Sequence, residues 1–478
     1  MWFKNIWDSI KTNLKRRKGD AAVVCCLLLI ALVSVAFAVS SRSGARQGEA
    51  DRSAQTEREG EWSGRPESGD DGHEPGGSTV PAGGEDGPGD SAASVSDKGE
   101  RETRPTDSGR TASGEGEAPT PEPVCVSSAT LGATGDILLH MAVLEAFSVG
   151  EGFDFSPAFT EVAPYYQSVD LMAANLEVPL VDPADGYAYS GNPFASPDAI
   201  AAALKNAGVD ICLTANNHTY DAGHYGLIRT QQVLEGLGLG RVGTRKSEDE
   251  SFLTVRDVNG IRIGMACWTY ETGADEWCEK TLNGIGIPEA DARLINSFCF
   301  ERLEKFYGDA EETLRLMAGQ GCEATVFFIH WGDEYEDLPN ALQQEIAHRL
   351  SALGVDVIIG GHPHVVQKYE VIENADGHRT AVLYSLGNEL SNQRKEYMSG
   401  DGFRGYTEDG VIFIVRFDKY DNGEVRLGDT FAIPTWVEQA GIFRIVPLDP
   451  AKSPEEWPAY NKALAMESYQ RTTSRLWG

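Results

Sequence analysis

The chain has 478 residues, with 73 Asp and Glu against 41 Lys and Arg and a formal net charge of -32 at pH 7. This acidic excess argues against a nucleic-acid partner, since a nucleic-acid surface needs clustered Lys and Arg. It suits a soluble, self-repelling surface or one that attracts cations.

The first forty residues have the features of a membrane segment. A basic stretch, KTNLKRRKGD, precedes an apolar run without charges from Ala21 to Val39, which is nearly long enough to span a bilayer. The basic flank predicts a cytoplasmic segment over residues 1–20, a single-pass signal anchor over 21–39 and a body outside the cytoplasm at the cell membrane. The alternative is a protein secreted after cleavage near Ala38, where AFA resembles a signal-peptidase site.

Residues 40–124 form a segment with almost no large apolar side chains, rich in Gly, Ser, Pro, Glu and Asp. Such a composition cannot bury enough apolar surface to offset chain entropy. We therefore predict a disordered acidic linker that tethers the body to the membrane.

Residues 125–478 predict one large α/β domain, because apolar runs of strand length alternate with helical patterns. Helices are predicted over 196–208, with Ser196 as N-cap and Gly208 as the stop, over 226–238, and over 340–354. A hairpin is predicted around Asn259-Gly260, and a second over 411–433. Buried strands are predicted over 127–136, 169–177, 209–215, 322–330 and 355–361.

Polar side chains follow each of these five predicted buried strands. In open α/β sheets, ligands bind outside the carboxyl ends of the strands. Taken alone, each residue has an ordinary explanation, such as a turn for Asp136, a surface position for Glu177 or a core position for His330. Their recurrence at equivalent places favours a shared site, formed by Asp136, Glu177, Asn216, Asn217, His218, His330, His362 and His364.

The pair His362 and His364 is the strongest signal, since a His-x-His after a strand can direct both rings to one side. Imidazole with carboxylate suits Zn, Mn or Fe better than Ca or Mg. We therefore predict one or two divalent transition-metal ions as cofactors. Candidate substrate-lining residues are Asn216, Trp331, Glu334 and Tyr335, with loop packing as the alternative for the last three.

Six motifs carry a family resemblance: GATGDILL, AANLEVPL, TANNHTYDAG, IHWGDEY, GGHPHVVQ and LYSLGN. Their order and spacing resemble the bacterial CapA-type capsule-synthesis proteins, which are associated with anionic surface polymers such as poly-γ-glutamate. That family in turn looks like the calcineurin-like metallophosphoesterases. The resemblance implies a metallophosphatase-like four-layer α/β/β/α sandwich with a two-metal site.

The resemblance also implies roles for single residues. Asp136 matches a first-strand ligand, Glu177 a bridging carboxylate and Asn217 an amide ligand. His218 matches a catalytic general acid that does not bind metal, and the later metal ligands are His330, His362 and His364. Phosphoesterases of this kind usually have Asp-x-His on the first strand, whereas Leu138 follows Asp136 here and His140 is two residues further on. One metal position is then weak, empty or differently completed.

The implied function is a membrane-anchored extracytoplasmic protein of capsule or poly-γ-glutamate synthesis or export, with metal-assisted hydrolysis of a phosphoester or related anionic substrate. The implied partners are the membrane, a cell-surface polymer and other capsule-synthesis proteins. Two alternatives stay open. One is a non-catalytic envelope protein that binds a polymer or partner and holds a structural metal. The other is an extracellular nucleotidase or phosphodiesterase unrelated to capsule.

Overall fold

The computed structural model describes residues 122–185, 194–272, 280–396 and 406–478. The predicted cytoplasmic segment, the predicted anchor and residues 40–121 of the predicted linker lie outside the described residues. Among the residues described, no helix combines the length and the apolar character needed to cross a membrane.

The chain folds into a mixed α/β structure. Its strands are β1 Cys125–Ile137, β2 Ser148–Val149, β3 Gly152–Phe153, β4 Leu171–Leu176, β5 Ile211–Leu213, β6 Gly240–Val242, β7 Thr254–Val258, β8 Ile261–Tyr270, β9 Thr281–Leu282, β10 Ile285–Gly286, β11 Ser297–Phe298, β12 Ala324–His330, β13 Val357–Gly361, β14 Tyr369–Glu373, β15 Arg379–Leu383, β16 Asn388–Leu390, β17 Asp409–Tyr420, β18 Val425–Gln439 and β19 Phe443–Pro447.

Helices connect many of these strands. They are α1 Met141–Ala146, α2 Ser156–Phe159, α3 Ala163–Tyr166, α4 Ala199–Ala207, α5 Gly223–Gly236, α6 Glu289–Ala292, α7 Leu303–Gly319, α8 Ala341–Ala352 and α9 Lys462–Trp477, with short 3₁₀ turns at Pro183–Asp185, Phe300–Arg302 and Pro454–Glu456.

The strands form two large sheets. The first has the order β19-β18-β17-β1-β4-β5-β6, with β16 also paired to β1, and the second has the order β11-β8-β12-β13-β15-β14, with β7 paired to β8. In the first sheet β1, β4, β5 and β6 run parallel. In the second sheet β8, β12, β13 and β15 run parallel. Each sheet therefore presents a set of carboxyl ends at one edge.

Side-chain alternation along the strands builds three buried layers. In β4, Leu171 and Ala173 pack with residues of the second sheet, whereas Met172 and Ala174 pack beneath α2 to α4. In β12 of the second sheet, Phe327 lies on the face turned away from the first sheet, where it packs with side chains of α7 and α8. One apolar core thus lies between the sheets, and a further core lies between each sheet and its helices.

Three local predictions can be compared with these elements. The hairpin at Asn259-Gly260 is confirmed, since β7 and β8 pair antiparallel with positive φ at both turn residues. Gly208 ends α4 in the left-handed conformation, which Gly adopts without a steric penalty. The prediction of Ser196 as N-cap was wrong. The helix begins at Ala199, and Ser196 forms a bridge with Leu180 instead.

Candidate metal centre

The predicted site residues converge at the carboxyl ends of strands from both sheets. The first sheet supplies Asp136 from β1, Glu177 after β4 and the Asn216–His218 segment after β5. The second sheet supplies His330 from the end of β12 and the two histidines after β13. Parallel strands bring their carboxyl ends to one edge, so residues far apart in sequence become neighbours.

Asp136 lies at the centre of a hydrogen-bond network and has 0% exposure. Its Oδ1 accepts a hydrogen bond of 2.7 Å from Asn175 Nδ2, and its Oδ2 accepts one of 3.1 Å from the His362 backbone N–H. His364 Nδ1 also lies 3.2 Å from Oδ2. Both carboxylate oxygens therefore have donors within the protein.

Gly361, the last residue of β13, allows Asp136 and His330 to approach each other closely. A Cβ at this position would lie 2.9 Å from Asp136 Oδ1 and 3.4 Å from His330 Nδ1. The missing side chain therefore leaves the space in which Asp136 and His330 approach each other.

Glu177 and His330 meet across the two sheets. Glu177 Oε1 lies 3.3 Å from His330 Nε2, and the same nitrogen lies 2.8 Å from Asn217 Oδ1. Glu177 is fully buried, and its Oε1 has no hydrogen-bond partner. A buried carboxylate oxygen left in this way is costly unless a cation or donor satisfies it.

The His362–His364 segment has a strained backbone. His362 has φ 98° and His364 has φ 57°, both in the left-handed region that side chains other than Gly rarely adopt. The turn places the His362 ring 4.9 Å from the His330 ring, measured between centroids. His362 Nδ1 is buried without a hydrogen-bond partner. His362, the first residue of this turn, is therefore a second residue of the centre with an unsatisfied buried atom.

Three overlapping groups of donors could hold a metal ion: Glu177 with His330 and His362, Glu334 with His362 and His364, and Asp136 with Glu177 and His364. In each group, one ligand atom per residue lies within 4.8 Å of the others. The first group contains both residues with an unsatisfied buried atom, Glu177 at Oε1 and His362 at Nδ1. The donor set of carboxylate and imidazole therefore fits a divalent transition metal.

The electrostatics favour ligand-competent imidazoles. Burial lowers the pKa of His330 to about 3 and holds the pKa of His362 well below its usual value. Both rings are therefore neutral at physiological pH, the form in which a ring nitrogen can bind metal. Burial, followed by the charge of Asp136, raises the pKa of Glu177 well above its usual value. A bound cation would oppose that shift.

Asp136 and His364 form a buried pair. Burial raises the pKa of Asp136, but the hydrogen bond with His364 and the charge of His364 bring it below its usual value. Burial acts to lower the pKa of His364, yet its contacts with Asp136 raise that pKa overall. His364 Nδ1 additionally lies 3.1 Å from Asn388 Oδ1. Since both partners of this nitrogen are oxygens that accept, His364 carries its proton on Nδ1.

His218 has a different set of partners. Its Nδ1 lies 2.7 Å from Asp221 Oδ2 and 3.2 Å from Asn283 Nδ2. Asp221 can only accept, so Nδ1 donates and Nε2 is left to exchange a proton. The Phe194 ring packs edge-on against His218 at 4.7 Å and against His140 at 5.0 Å. Burial lowers the pKa of His140 to about 4.

The candidate lining residues have different surroundings. Trp331 has 0% exposure, packs in the core under α7 and α8, and donates its indole N–H to the Tyr384 carbonyl at 2.9 Å. Glu334 is exposed and belongs to one of the donor groups. The Tyr335 ring lies 5.8 Å from the His364 ring. Trp331 thus has the loop-packing surroundings, whereas Glu334 and Tyr335 border the centre.

Further polar residues complete the centre. Asn216 was a candidate for substrate lining, yet its Nδ2 donates to Asn175 Oδ1 at 3.1 Å and to the Leu176 carbonyl at 2.9 Å. Asn175, Asp221 and Asn388 had no assignment, although they stand in three of the six motifs. Glu389, the residue after Asn388, directs its carboxylate away from the centre, since this carboxylate accepts hydrogen bonds from Tyr166 and Thr435.

The chain is similar to known bacterial capsule-synthesis proteins. Residues 130–393 match the family model "Bacterial capsule synthesis protein PGA_cap". "Capsule biosynthesis protein CapA" of Bacillus anthracis is 26% identical over 298 residues, which cover 62% of this chain and 64% of that protein. "PGA biosynthesis protein CapA" of Bacillus subtilis (strain 168) is 28% identical over 290 residues, which cover 58% of this chain and 68% of that protein.

The crystal structure of TT1561 of Thermus thermophilus also aligns with the chain. It shares 12% identity, covers 63% of this chain and 99% of that chain, and gives a TM-score of 0.32, too low to identify a common fold. The family model gives the firmer result, because residues 130–393 make up more than half of the chain and include every predicted metal donor. The chain therefore belongs to the bacterial capsule synthesis protein family PGA_cap.

Proposed function

We propose that the protein acts in capsule or poly-γ-glutamate synthesis or export as a metal-dependent hydrolase of a phosphoester or a related anionic substrate. The observation that carries the proposal is the buried donor group of Glu177, His330 and His362, two of whose residues have a side-chain atom without a hydrogen-bond partner, Glu177 Oε1 and His362 Nδ1. The names of the two CapA relatives support the biological setting.

The ion would be held by Glu177, His330 and His362, with Asn217 Oδ1 beside His330 Nε2. When bound, such an ion would supply the means to lower the pKa of a water and to attract anionic oxygens of a substrate. The protein's own contribution is to fix these donors on two rigid sheets and to exclude bulk water from them. His218, oriented by Asp221, would hold the proton for the leaving group.

The arrangement of layers supports the metallophosphatase-like part of the proposal. Apolar cores lie between the two sheets, between the first sheet and α2 to α4, and between the second sheet and α7 and α8. This is the order expected of a four-layer α/β/β/α sandwich, with the candidate centre at the strand ends of both sheets.

A second candidate function is an envelope protein that binds a polymer or partner and holds a structural ion. Burial is the observation that favours it. Asp136 and Glu177 have 0% exposure, and the candidate histidine ligands have at most 3%: His330, His362 and His364. A structural ion needs no access for a substrate, whereas hydrolysis does.

The test combines metal analysis with turnover of a generic phosphodiester by the full chain with added Mn. We expect the wild type to hold Mn and hydrolyse the phosphodiester, and His362→Ala to lose both. His348→Ala, which removes an exposed histidine of α8, is the matched control and should change neither. Bound Mn without turnover would favour the binding protein, and a wild type without Mn would contradict the metal centre.

We also propose that the body is held outside the cytoplasm by the segment over 21–39, with the membrane, a cell-surface polymer and other capsule-synthesis proteins as partners. The apolar run and its basic flank support this topology. The net charge of -32 makes a broad polyanion-binding surface unfavourable, so a polymer would be recognised through the local cation.

A further inference from the structure

Glu334 is the exposed member of the three donor groups. It stands in the loop after β12 and shares a group with His362 and His364, in which one ligand atom per residue lies within 4.8 Å of the others. Both histidines are buried. This group therefore lies at the border between the buried centre and solvent.

The two loops that carry this group have a strained backbone. Tyr335, the neighbour of Glu334, has φ 66°, and His362 and His364 have φ 98° and 57°. These are three of the five residues other than Gly with positive φ in the described part of the chain. Such conformations are costly and persist where the surrounding structure imposes them, most often at functional sites.

Hydrogen bonds hold the two loops against each other. The Tyr335 N–H donates to the Pro363 carbonyl at 2.7 Å. Gln393 connects the side chains, since its Nε2 donates to the Tyr335 hydroxyl at 3.2 Å and its Oε1 accepts from Asn388 Nδ2 at 3.0 Å. Asn388 Oδ1 in turn lies 3.1 Å from His364 Nδ1. The loop with the exposed carboxylate is therefore fixed relative to the histidine turn.

His364 has one nitrogen available for an ion. Its Nδ1 donates to oxygens of Asp136 and Asn388, as metal-binding histidines commonly do with their second nitrogen. Its Nε2 lies 3.9 Å from Glu177 Oε1, a buried oxygen without a hydrogen-bond partner. An ion on this nitrogen would therefore adjoin the buried donors.

An exposed carboxylate usually has a simpler explanation, as a solvated charge on a loop. Asp333, the preceding residue, has that character, because its carboxylate accepts a hydrogen bond of 2.8 Å from Asn340 at the start of α8. Glu334 differs, since it approaches two buried imidazoles. One of these belongs to His362, which has a buried nitrogen without a hydrogen-bond partner.

We propose that Glu334 is a metal ligand, which forms with His362 and His364 an outer ion position open to solvent beside the buried donor group. This inference rests on the proposed metal-dependent function and deepens it. The outer position is the part of the centre that an anionic substrate can reach, because one of its donors is exposed.

The test is a Mn titration of the full chain, followed by the electron paramagnetic resonance signal of free Mn(II). We expect two bound Mn ions in the wild type and one in Glu334→Gln, which removes the charge and keeps the shape. Loss of a residue that supports a ligand typically lowers metal affinity about 10–100-fold, and loss of the ligand itself should cost at least as much. Asp333→Asn, the matched control, removes the same charge one residue away and should bind two.

Water proton relaxation gives a second readout. Mn(II) that carries an exchanging water raises the relaxation rate of water protons, so the outer position should produce this increase and Glu334→Gln should lose most of it. The unfolding midpoint without Mn should be the same in Glu334→Gln and the wild type, because the side chain is exposed.

The outcomes separate this inference from the proposed function. An unchanged Mn count and affinity in Glu334→Gln would refute Glu334 as a ligand, even if turnover fell, and would leave metal-dependent hydrolysis standing. An equal loss of Mn in Asp333→Asn would also refute it, since loop charge alone would then explain the effect. One Mn in the wild type would overturn the outer position, and no Mn would overturn the whole centre. Two Mn ions without turnover would support the outer position and contradict hydrolysis.

Discussion

His218 and the metal donors stand at the same strand ends but have different partners. Glu177, His330 and His362 face one another in a buried donor group, whereas His218 is held by Asp221 at 2.7 Å. A residue held in this way can transfer a proton without binding the ion.

His218→Ala should therefore keep its metal content and lose most hydrolytic activity. A general acid typically contributes about 10²–10⁴-fold to the rate, so a loss of this size is expected. The loss should be smallest on substrates with a good leaving group, which needs no proton. The measurement compares Mn content and turnover of two phosphodiesters that differ in leaving-group pKa.

His362→Ala is the control for His218→Ala, since ligand loss should lower metal content and turnover together. Loss of metal from His218→Ala would make His218 a ligand and contradict the general-acid role.

The sequence led to individual site residues when their chemistry was distinctive. His362 and His364 stand out as a closely spaced pair after an apolar run, and the structure brings them to Asp136 and Glu177. Asn175 does not stand out, because a single Asn at a strand end is common in turns. Its importance comes from its 2.7 Å contact with Asp136, which depends on how β1 and β4 pair.

At the scale of elements, the C-terminal helix α9 holds the start of β17. Asp409 has 4% exposure and accepts hydrogen bonds from Ser468 Oγ at 2.6 Å and from Arg471 Nε at 3.0 Å. Because β17 pairs with β1, this contact supports the strand that carries Asp136.

Arg471→Ala should destabilise the fold by about 3 kcal/mol at neutral pH, since it leaves a buried carboxylate without its cation. Burial raises the pKa of Asp409 from its usual value to about 6, even with Arg471 present. The folded state therefore binds more protons than the unfolded state between about pH 4 and 6. Arg471 lowers the pKa of Asp409, so without Arg471 that pKa should be higher and the folded state should bind the proton at a higher pH. The stability loss of Arg471→Ala should therefore shrink as the pH falls from 8 to 5.

Urea unfolding of both proteins at several pH values measures this difference. Arg315→Ala, which removes an exposed ion pair with Glu312 on α7, is the control and should change the unfolding midpoint little at any pH. A loss for Arg471→Ala that is equal at pH 5 and pH 8 would contradict the assigned role of Asp409.

Elements with clear local signals were predictable. Gly208 marks the end of α4, and Asn259-Gly260 marks the turn between β7 and β8, because only a few residue types accept positive φ. Ser196 shows the limit of such signals. It has the chemistry of an N-cap, yet its backbone pairs with Leu180, so a tertiary contact outweighed the local preference. The pairing of β17 with β1 had no local signal, since the two strands are far apart in sequence.

At the scale of the whole molecule, the proposed topology predicts how intact cells respond to protease. In cells without an outer membrane, added protease should cut within residues 40–124 and release the body into the medium. Immunoblotting of medium and cells follows the released fragment, and a cytoplasmic protein serves as the control for lysis. A body that is protected until the cells are lysed would contradict the topology. A body released without protease and beginning at Val39 would indicate the cleaved alternative.

The two sheets contribute opposite halves of the donor set, with Glu177 from one and His330 and His362 from the other. An ion held between them would bind the folded chain and not the unfolded chain, so mass action links its concentration to the folding equilibrium. At a free ion concentration one hundred times Kd, the gain is about 2.7 kcal/mol. The concentration of free ion would then affect how long each copy of the protein survives proteolysis, apart from any effect on catalysis.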